Sequence, residues 1–258
     1  MLEKRSLSPS QSATAFMPHT YPDIDGYQLS SCIKQSDRTC VYAGMDKMLQ
    51  MPVAIKVVSL PAVEQDLSLR LTTQAKRWLR LRHKHIVPLY RFGWLDEQTL
   101  YYVMPLLTGG DLRSWRRPAE ENKVRALLCD LLDALVYAHG LGILHGAIEA
   151  KRVHFDQSGR AQLVGFGAGM DSAAQLDDAS DLYALAELAL ELLTGTRRFD
   201  ALPAELNYWQ GFFNCALHPE PARRFANAAQ MQAALSNTKK PMLVDKGERI
   251  IAGNDGWS

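Results

Sequence analysis

Three cations and one histidine are the side chains of this sequence best suited to chemistry. Lys56 ends the run Val-Ala-Ile-Lys, and Lys151 and Arg152 are adjacent much later in the chain. Together they can hold an anionic ligand without a metal ion, because three positive charges supply part of the neutralisation that a cation would give. His145 can act as a general base, although no nucleophile lies near it in sequence. The simpler alternative is that Lys151 and Arg152 are solvated and that Lys56 packs only its stem.

Short β-type runs must position Lys56. Alternating apolar and polar residues predict five strands. These are Tyr27–Ile33, Thr39–Gly44, Val53–Ser59, Ile86–Trp94 and Leu100–Met104. A helix is predicted from Pro61 through Arg82, where Leu71, Ala75 and Trp78 recur at helical spacing.

A helical pattern replaces the β-type pattern after Gly109-Gly110. Asn122 is expected to cap a long amphipathic helix that Gly140 ends, and Asp181–Leu193 is typical of a buried helix, stopped by Gly195. Two further helices are predicted over Ala204–Leu217 and Ala226–Leu235. The sequence therefore predicts a β-rich unit followed by a helical one.

Several short runs at the junctions of these elements carry a family resemblance. They are Val53-Ala54-Ile55-Lys56, the stretch 81–87, Gly109–Leu112, Gly142–His145, Gln162–Val164, Ser180–Tyr183 and Pro221–Phe225. In this order and spacing they resemble the eukaryotic-type (Hanks-type) Ser/Thr protein kinase family, in its bacterial form. The match runs from about Tyr27 to Leu235.

The resemblance implies an α+β, bilobal protein-kinase-like fold. The domain would span 27–236, with an N-lobe over 27–106 of five antiparallel strands plus one helix and a larger, mainly helical C-lobe over 107–236. Residues 1–26 are expected to form a disordered tail, because they are rich in Ser, Thr and Pro. Residues 237–258 are expected to form a second tail or a small hairpin.

The resemblance also identifies catalytic positions that have changed. Ala147 stands where the family has its catalytic aspartate, and Arg152 and Gly165 stand where it has its two magnesium ligands. Gln74 takes the place of the glutamate that pairs with the lysine at position 56. A guanidinium only donates hydrogen bonds and cannot ligate Mg²⁺, so the resemblance implies no catalytic residue and no metal.

The groups that would hold and present phosphates have changed as well. Glu149 replaces a lysine that contacts the transferred phosphate in the family, and its charge repels phosphate. Side chains replace the glycines of the nucleotide-binding loop, at Lys34, Ser36 and Thr39. Only thirteen residues separate Gly167 from Asp181, which implies a truncated activation segment without its substrate platform.

These losses imply a pseudokinase, which is not an enzyme and binds no cofactor. Its expected role is that of a regulatory or scaffolding binding module for a signalling partner such as an active kinase or phosphatase. Trp78, His145 and Phe166 occupy positions similar to the family's internal hydrophobic spine, so we expect them to serve packing.

A remnant of the nucleotide cleft supports an alternative. By position, the residues of this vestigial cleft are Val41, Ala54, Lys56, Met104, Pro105, Leu107 and Arg152. Their retention allows ATP to bind without metal, although His154 stands where the family has an apolar floor residue. The chain would then be a nucleotide-binding sensor or an unconventional nucleotide-dependent transferase with very weak Ser/Thr kinase-like activity, in which Asp171 or Asp177 replaces a lost metal ligand.

Composition sets the remaining expectations. With 258 residues, 47% of them hydrophobic, and a net charge of +1, the chain is expected to be a cytoplasmic protein that binds neither nucleic acid nor membrane. The four cysteines show no metal-binding spacing and are expected to be buried thiols. Basic residues crowd into Arg70–Lys84, either as a solvated helix face or as a docking face for an acidic partner. The sequence does not determine the oligomeric state.

Overall fold

A five-stranded antiparallel sheet forms the N-lobe. The computed structural model describes residues 21–61, 65–167 and 177–239. The strands are β1 (Tyr27–Ser36), β2 (Thr39–Asp46), β3 (Pro52–Ser59), β4 (Arg91–Trp94) and β5 (Thr99–Pro105), in the order β1-β2-β3-β5-β4. Each predicted strand is therefore present, although β4 is shorter than the expected Ile86–Trp94.

The two faces of this sheet bury different groups because side chains alternate along each strand. On β3, Val53 and Ile55 belong to a cluster on the outer face, whereas Ala54 belongs to the main core beneath the sheet. Ile24 covers the outer face and is 1% exposed. The expectation of a disordered tail over 1–26 is thus wrong for residues 21–26, while residues 1–20 lie outside the described chain.

One helix, α1 (Gln65–Trp78), packs under the sheet. It ends earlier than the predicted Arg82, because Leu81 N–H already bonds the carbonyl of Trp78 in a turn. The stretch 86–89 then passes through the core outside any strand, although Val87 N–H donates to Leu163 O. Tyr90 is exposed, and its N–H donates to Val103 O of β5 just before β4 begins. A buried loop and a buried strand have the same apolar composition, which is why the start of β4 is predicted too early.

The C-lobe contains four further helices and one hairpin among the described residues. They are α2 (Glu121–Gly140), β6 (Val153–Phe155), β7 (Ala161–Leu163), α3 (Asp178–Thr194), α4 (Gln210–Ala216) and α5 (Ala228–Asn237). Glu120, rather than the predicted Asn122, is the N-cap residue of α2. The predicted helix Ala204–Leu217 is a 3-10 helix over Ala204–Trp209 that continues into α4.

Helix α3 carries the clearest end signals. The Asp177 side chain accepts a hydrogen bond from Ser180 N–H at its start, and Gly195 ends it with a φ of +80°. Its middle is buried on nearly every face, as the sequence predicts for a helix at the centre of a lobe. None of the helices that the structure describes is long and apolar enough to cross a membrane.

The cysteines differ from expectation. Cys32 and Cys129 are exposed, and Cys40 and Cys215 are half-buried, so the prediction of buried thiols is wrong. The Sγ atoms of Cys32 and Cys40 lie 2.8 Å apart across the β1–β2 hairpin. In the described ranges, no group of His, Cys, Asp and Glu side chains is arranged to hold a metal ion.

Candidate functional site

A buried carboxylate fixes the loop in which a kinase would carry its catalytic aspartate. Asp181 of α3 is 2% exposed and accepts hydrogen bonds from the backbone N–H groups of His145 (2.8 Å) and Gly146 (2.7 Å). His139 Nε2 of α2 lies 2.9 Å from the same carboxylate. Burial alone would raise the pKa of Asp181, but these donors outweigh it and hold that pKa below its usual value.

His145 is fully buried, and hydrogen bonds assign its tautomer. Ala147 N–H donates to Nδ1 at 3.2 Å, so Nδ1 must be an acceptor. Val164 O lies 3.3 Å from Nε2 and can only accept, so Nε2 carries the proton. Burial lowers the pKa of His145 to about 4, which is consistent with a neutral ring. Because both nitrogens are occupied, the hypothesis that His145 is a general base finds no support.

Phe166 and Trp78 continue the packing that His145 begins. The rings of His145 and Phe166 meet edge to face with centroids 4.8 Å apart. Trp78 is 4% exposed, and it lines a cavity together with Phe166. Its Nε1 donates to Val87 O at 2.8 Å. The predicted packing role of these three side chains agrees with this arrangement.

Arg152 occupies the space in which a side chain at position 165 would lie. A Cβ added to Gly165 would be 2.6 Å from Arg152 Nη1. The guanidinium is held from the other side by Glu149, whose Oε1 lies 3.2 Å from Nε, and Lys151 Nζ lies 2.9 Å from that same oxygen. Burial tends to raise the pKa of Glu149, but hydrogen bonds from these two cations lower it overall. The space at both positions where the family has metal ligands is thus taken by one guanidinium, which Glu149 holds as its counter-ion.

Gln74 links α1 to the segment after Phe166. It is 8% exposed, and its Nε2 donates to the carbonyl oxygen of Gly167. A Cβ added to Gly167 would meet Gln74 Cγ at 2.7 Å, so only glycine permits this approach. Gly167 N–H in turn donates to His145 O at 2.9 Å. The residue that replaces the family's glutamate therefore contacts the loop directly through a neutral hydrogen bond.

The expected walls of the cleft come together on the inner face of the sheet. Val41 on β2 is opposite Lys56 on β3, and Ala54 is opposite Met104 on β5. Lys56 Nζ lies 5.8 Å from the ring centroid of Tyr102. Pro105 ends β5, and Leu107 follows it, partly buried against the core. Four of the sequence-predicted residues, Val41, Ala54, Lys56 and Met104, therefore lie on neighbouring strands.

His154 lies on β6 in the region expected to form the floor. Its Nε2 lies 3.2 Å from Lys151 O, which can only accept, so this nitrogen carries a proton. Burial lowers the pKa of His154 below its usual value, and the neutral ring is favoured.

A cavity of about 260 Å³ lies between β3, α1 and Gly165. Its cationic lining residues are Arg38, Lys56 and Arg152, and no carboxylate is found among the described residues that line it. The sequence pointed to Lys151 as the third cation, but Lys151 is not among these residues and its side chain is 48% exposed. The sequence did not predict Arg38 as a cavity residue, because it lies in the β1–β2 turn, where the only prediction concerned the loss of glycines.

The β1–β2 connection is a tight hairpin rather than an open glycine loop. Ser36 pairs with Thr39, so only residues 37–38 form the turn, and Ser59 N–H donates to Arg38 O at 2.9 Å. These bonds tie the turn to the end of β3. This explains how Arg38 reaches a cavity beneath the sheet.

Known proteins support the family assignment. The model of the protein kinase domain family matches residues 27–174. Ser/Thr-protein kinase PknL of Mycobacterium tuberculosis is 27% identical over 261 aligned residues, which cover 81% of this chain and 64% of PknL. Ser/Thr-protein kinase PKH3 of Eremothecium gossypii is 30% identical over 148 residues, covering 55% of this chain and 20% of PKH3. The chain thus spans less than two thirds of the length of either relative.

Solved structures agree with this match. A crystal structure of the Mycobacterium tuberculosis PknI kinase domain, in a point-mutant form, superposes with a TM-score of 0.72 and 25% identity. The superposition covers 83% of this chain and 96% of the PknI chain. The bilobal fold expected from the sequence is therefore confirmed.

The buried neutral His145 makes a pH dependence predictable. In the unfolded chain this histidine gains a proton as the pH falls below about 6.5, whereas in the fold it resists protonation until about pH 4. Its contribution to stability is therefore complete above pH 6.5 and is lost towards pH 4, at up to ~1.4 kcal/mol per pH unit. Urea unfolding between pH 7 and pH 4.5 should show this slope.

The variant His145→Gln should flatten that slope by about one proton, whatever its effect on stability at pH 7. His83 and His154, whose pKa values burial also lowers, titrate in both proteins and cancel in the comparison. Parallel pH profiles for the two proteins would contradict the assigned protonation state.

Proposed function

Because this chain belongs to the protein kinase domain family, we propose that it is a pseudokinase, a non-catalytic binding module that regulates or scaffolds a signalling partner. The observation that carries this proposal is the guanidinium of Arg152 beside Gly165, at the place where the family's metal ligands would meet. A cation cannot share this position with a permanent positive charge unless the arginine leaves.

The chemistry of phosphoryl transfer explains why this observation weighs so heavily. The transferred group carries its charge on phosphate oxygens, and catalysis consists mainly of neutralising that charge and orienting the acceptor. Here Ala147 has no polar side-chain atom to orient an acceptor, and Glu149 contributes negative charge close by. The residues at the positions of the family's metal ligands, catalytic base and phosphate-binding lysine cannot perform those roles.

The retained architecture supports a binding role. Asp181 still holds the loop at His145 and Gly146, and Gln74 still joins α1 to Gly167, so the lobes stay docked without catalysis. The partner we propose is an active kinase or phosphatase that recognises this fixed surface. Near-neutral net charge supports a protein partner over nucleic acid.

Helix α1 and the turn after it present a basic surface. Its cations are all exposed: Arg70, Lys76, Arg77, Arg80, Arg82 and Lys84. The docking face expected over Arg70–Lys84 is therefore open to a partner, although Lys84 already pairs with Asp133. An acidic segment of the partner fits this surface.

We expect no phosphotransfer from this chain. With ATP and Mg²⁺ or Mn²⁺, incorporation of the γ-phosphate into a generic Ser/Thr substrate should equal that of the Lys56→Ala variant. Addition of Mg²⁺ should not increase the shift in Tm that ATP alone produces, because no metal ligand is available at the positions where the family has them. Both expectations can be tested on the full chain, the first with a radiolabel assay and the second with thermal-shift measurements.

Two results would overturn the pseudokinase proposal. One is phosphotransfer that the Lys56→Ala substitution abolishes. The other is a Mg²⁺-dependent rise in Tm with ATP, which would indicate that acids such as Asp171 or Asp177 supply metal ligands, as the alternative transferase interpretation requires.

The basic surface can be tested by partner recovery. The double variant Arg77→Ala/Arg80→Ala should recover several-fold less of a candidate kinase or phosphatase than the wild-type chain in affinity purification, because rim charges govern association. The control Arg198→Ala/Arg223→Ala removes two exposed arginines from the C-lobe. Equal recovery of the partner by all three proteins would show that α1 is not its docking surface.

The cationic cavity favours a second candidate, a sensor of a phosphate-rich anion. Its volume of about 260 Å³ is below the ~300–1,000 Å³ of typical small-molecule sites, so it fits phosphate groups better than a whole nucleotide. Arg38 and Arg152 offer planar donors that suit phosphate oxygens. The cleft walls at Ala54 and Met104 would admit adenine next to it.

Tripolyphosphate and ATP, each with EDTA, distinguish these ligands. Both should raise Tm if phosphate recognition dominates, and ATP should do so further if adenine also binds. Arg38→Ala should weaken binding about tenfold, the loss of about one charge-assisted hydrogen bond. Arg160→Ala, which removes an exposed arginine outside the cavity, serves as the matched control. An equal loss in both variants would show a nonspecific charge effect.

A further inference from the structure

Two cysteines come together on the β1–β2 hairpin, away from the cavity. The Sγ atoms of Cys32 on β1 and Cys40 on β2 are 2.8 Å apart, close enough for one thiol to donate a hydrogen bond to the other. A disulfide needs a separation of about 2 Å, so the sulfurs are within ~1 Å of bonding. We propose that Cys32 and Cys40 form a redox site. A peroxide converts the two thiols to a disulfide that links β1 to β2 within the hairpin.

Strand register explains why these two residues meet. Cys32 pairs with Tyr42 on β2, and Cys40 lies two residues before Tyr42, so all three share one face of the hairpin. An irregularity between Cys32 and Lys34 leaves Ile33 unpaired. Such a bulge bends the strand and draws the diagonal pair together. The strand register therefore places both thiols on the same face of the hairpin.

The two thiols have different surroundings, which assigns them different roles. Cys32 is exposed and meets a dissolved oxidant first. Cys40 is half-buried and packs against the apolar cluster of the outer face, which includes Ile24 and Tyr42. Burial, followed by the hydrogen bond to Cys32, raises the pKa of the Cys40 thiol, so it stays protonated until it reacts.

The reaction balances with one peroxide. The Cys32 thiol gives its proton to solvent, and the thiolate attacks a peroxide oxygen. The O–O bond breaks, an S–O bond forms, and the departing hydroxide takes up a proton and leaves as water, giving a sulfenic acid. Cys40 Sγ then attacks the Cys32 sulfur; the S–O bond breaks, the S–S bond forms, and hydroxide takes the Cys40 proton as a second water. Two thiols and H₂O₂ become one disulfide and two waters. A dithiol reductant reverses the result by exchange.

The position of the pair gives the disulfide a consequence for the cleft. The closed ring would run from Cys32 to Cys40 and contain the turn at 37–38, from which Arg38 reaches the cavity. A cross-link on the outer face restricts the opening of the two strands without blocking the inner face. Oxidation therefore holds Arg38 in place.

Peptide mapping of the full chain tests the proposal. The protein is treated with hydrogen peroxide, alkylated without reduction and digested with trypsin, which cuts after Lys34 and Arg38 and so separates the two cysteines. We expect the peptide 6–34 linked to the peptide 39–47, and a loss of two hydrogen atoms in the intact mass. Dithiothreitol should restore both free peptides.

Variants and a second measurement complete the test. Cys32→Ser and Cys40→Ser should each abolish the link, whereas Cys129→Ser, which removes the other exposed cysteine, should retain it. The oxidised wild type should melt about 5 °C above the reduced form, because a short closed loop constrains the unfolded chain. Unlinked peptides with Cys32 oxidised to a sulfinic acid, or links shared equally with Cys129, would overturn the proposal.

Discussion

The buried carboxylate of Asp181 is the interaction on which the arrangement of the site depends. It gathers two backbone amides from the loop at His145 and one imidazole from His139 of α2, so a single side chain of α3 joins two helices and the loop. A charge that is 2% exposed is tolerable only because these donors satisfy it. The side chains on that loop are positioned by this carboxylate, and they include the edge-to-face pair of His145 and Phe166.

The charged groups around this loop differ from those that the family has at the same positions. At the two positions where the resemblance places metal ligands, this chain has the cation Arg152 and the neutral Gly165, and Arg152 pairs with Glu149. Position 149 itself, a lysine in the family, carries a negative charge here. A cleft without a metal must neutralise its own charges, and an internal arginine–glutamate pair does so without any ligand. Both charges of this pair are therefore satisfied within the fold.

Much of the fold could be predicted from the sequence, because strand alternation and helical spacing are local signals. The core of α3 was evident from its apolar faces and from Gly195. Errors arose where tertiary contacts decide the structure: residues 86–89 form a largely buried loop, and Ile24 is ordered because it covers the sheet. At the site, position-by-position comparison found Arg152 and Gly165 but not Arg38, whose role depends on a hairpin folding back onto β3.

The hydrogen bond from Gln74 to Gly167 has a further consequence for how the two lobes communicate. An ion pair in this position would weaken with salt and respond to a nearby phosphate, because charged groups feel distant charge. An amide and a carbonyl carry no net charge, so their contact is nearly insensitive to ionic strength and to added charge. The contact between helix α1 and Gly167 is therefore expected to persist when salt or a charged group is added nearby.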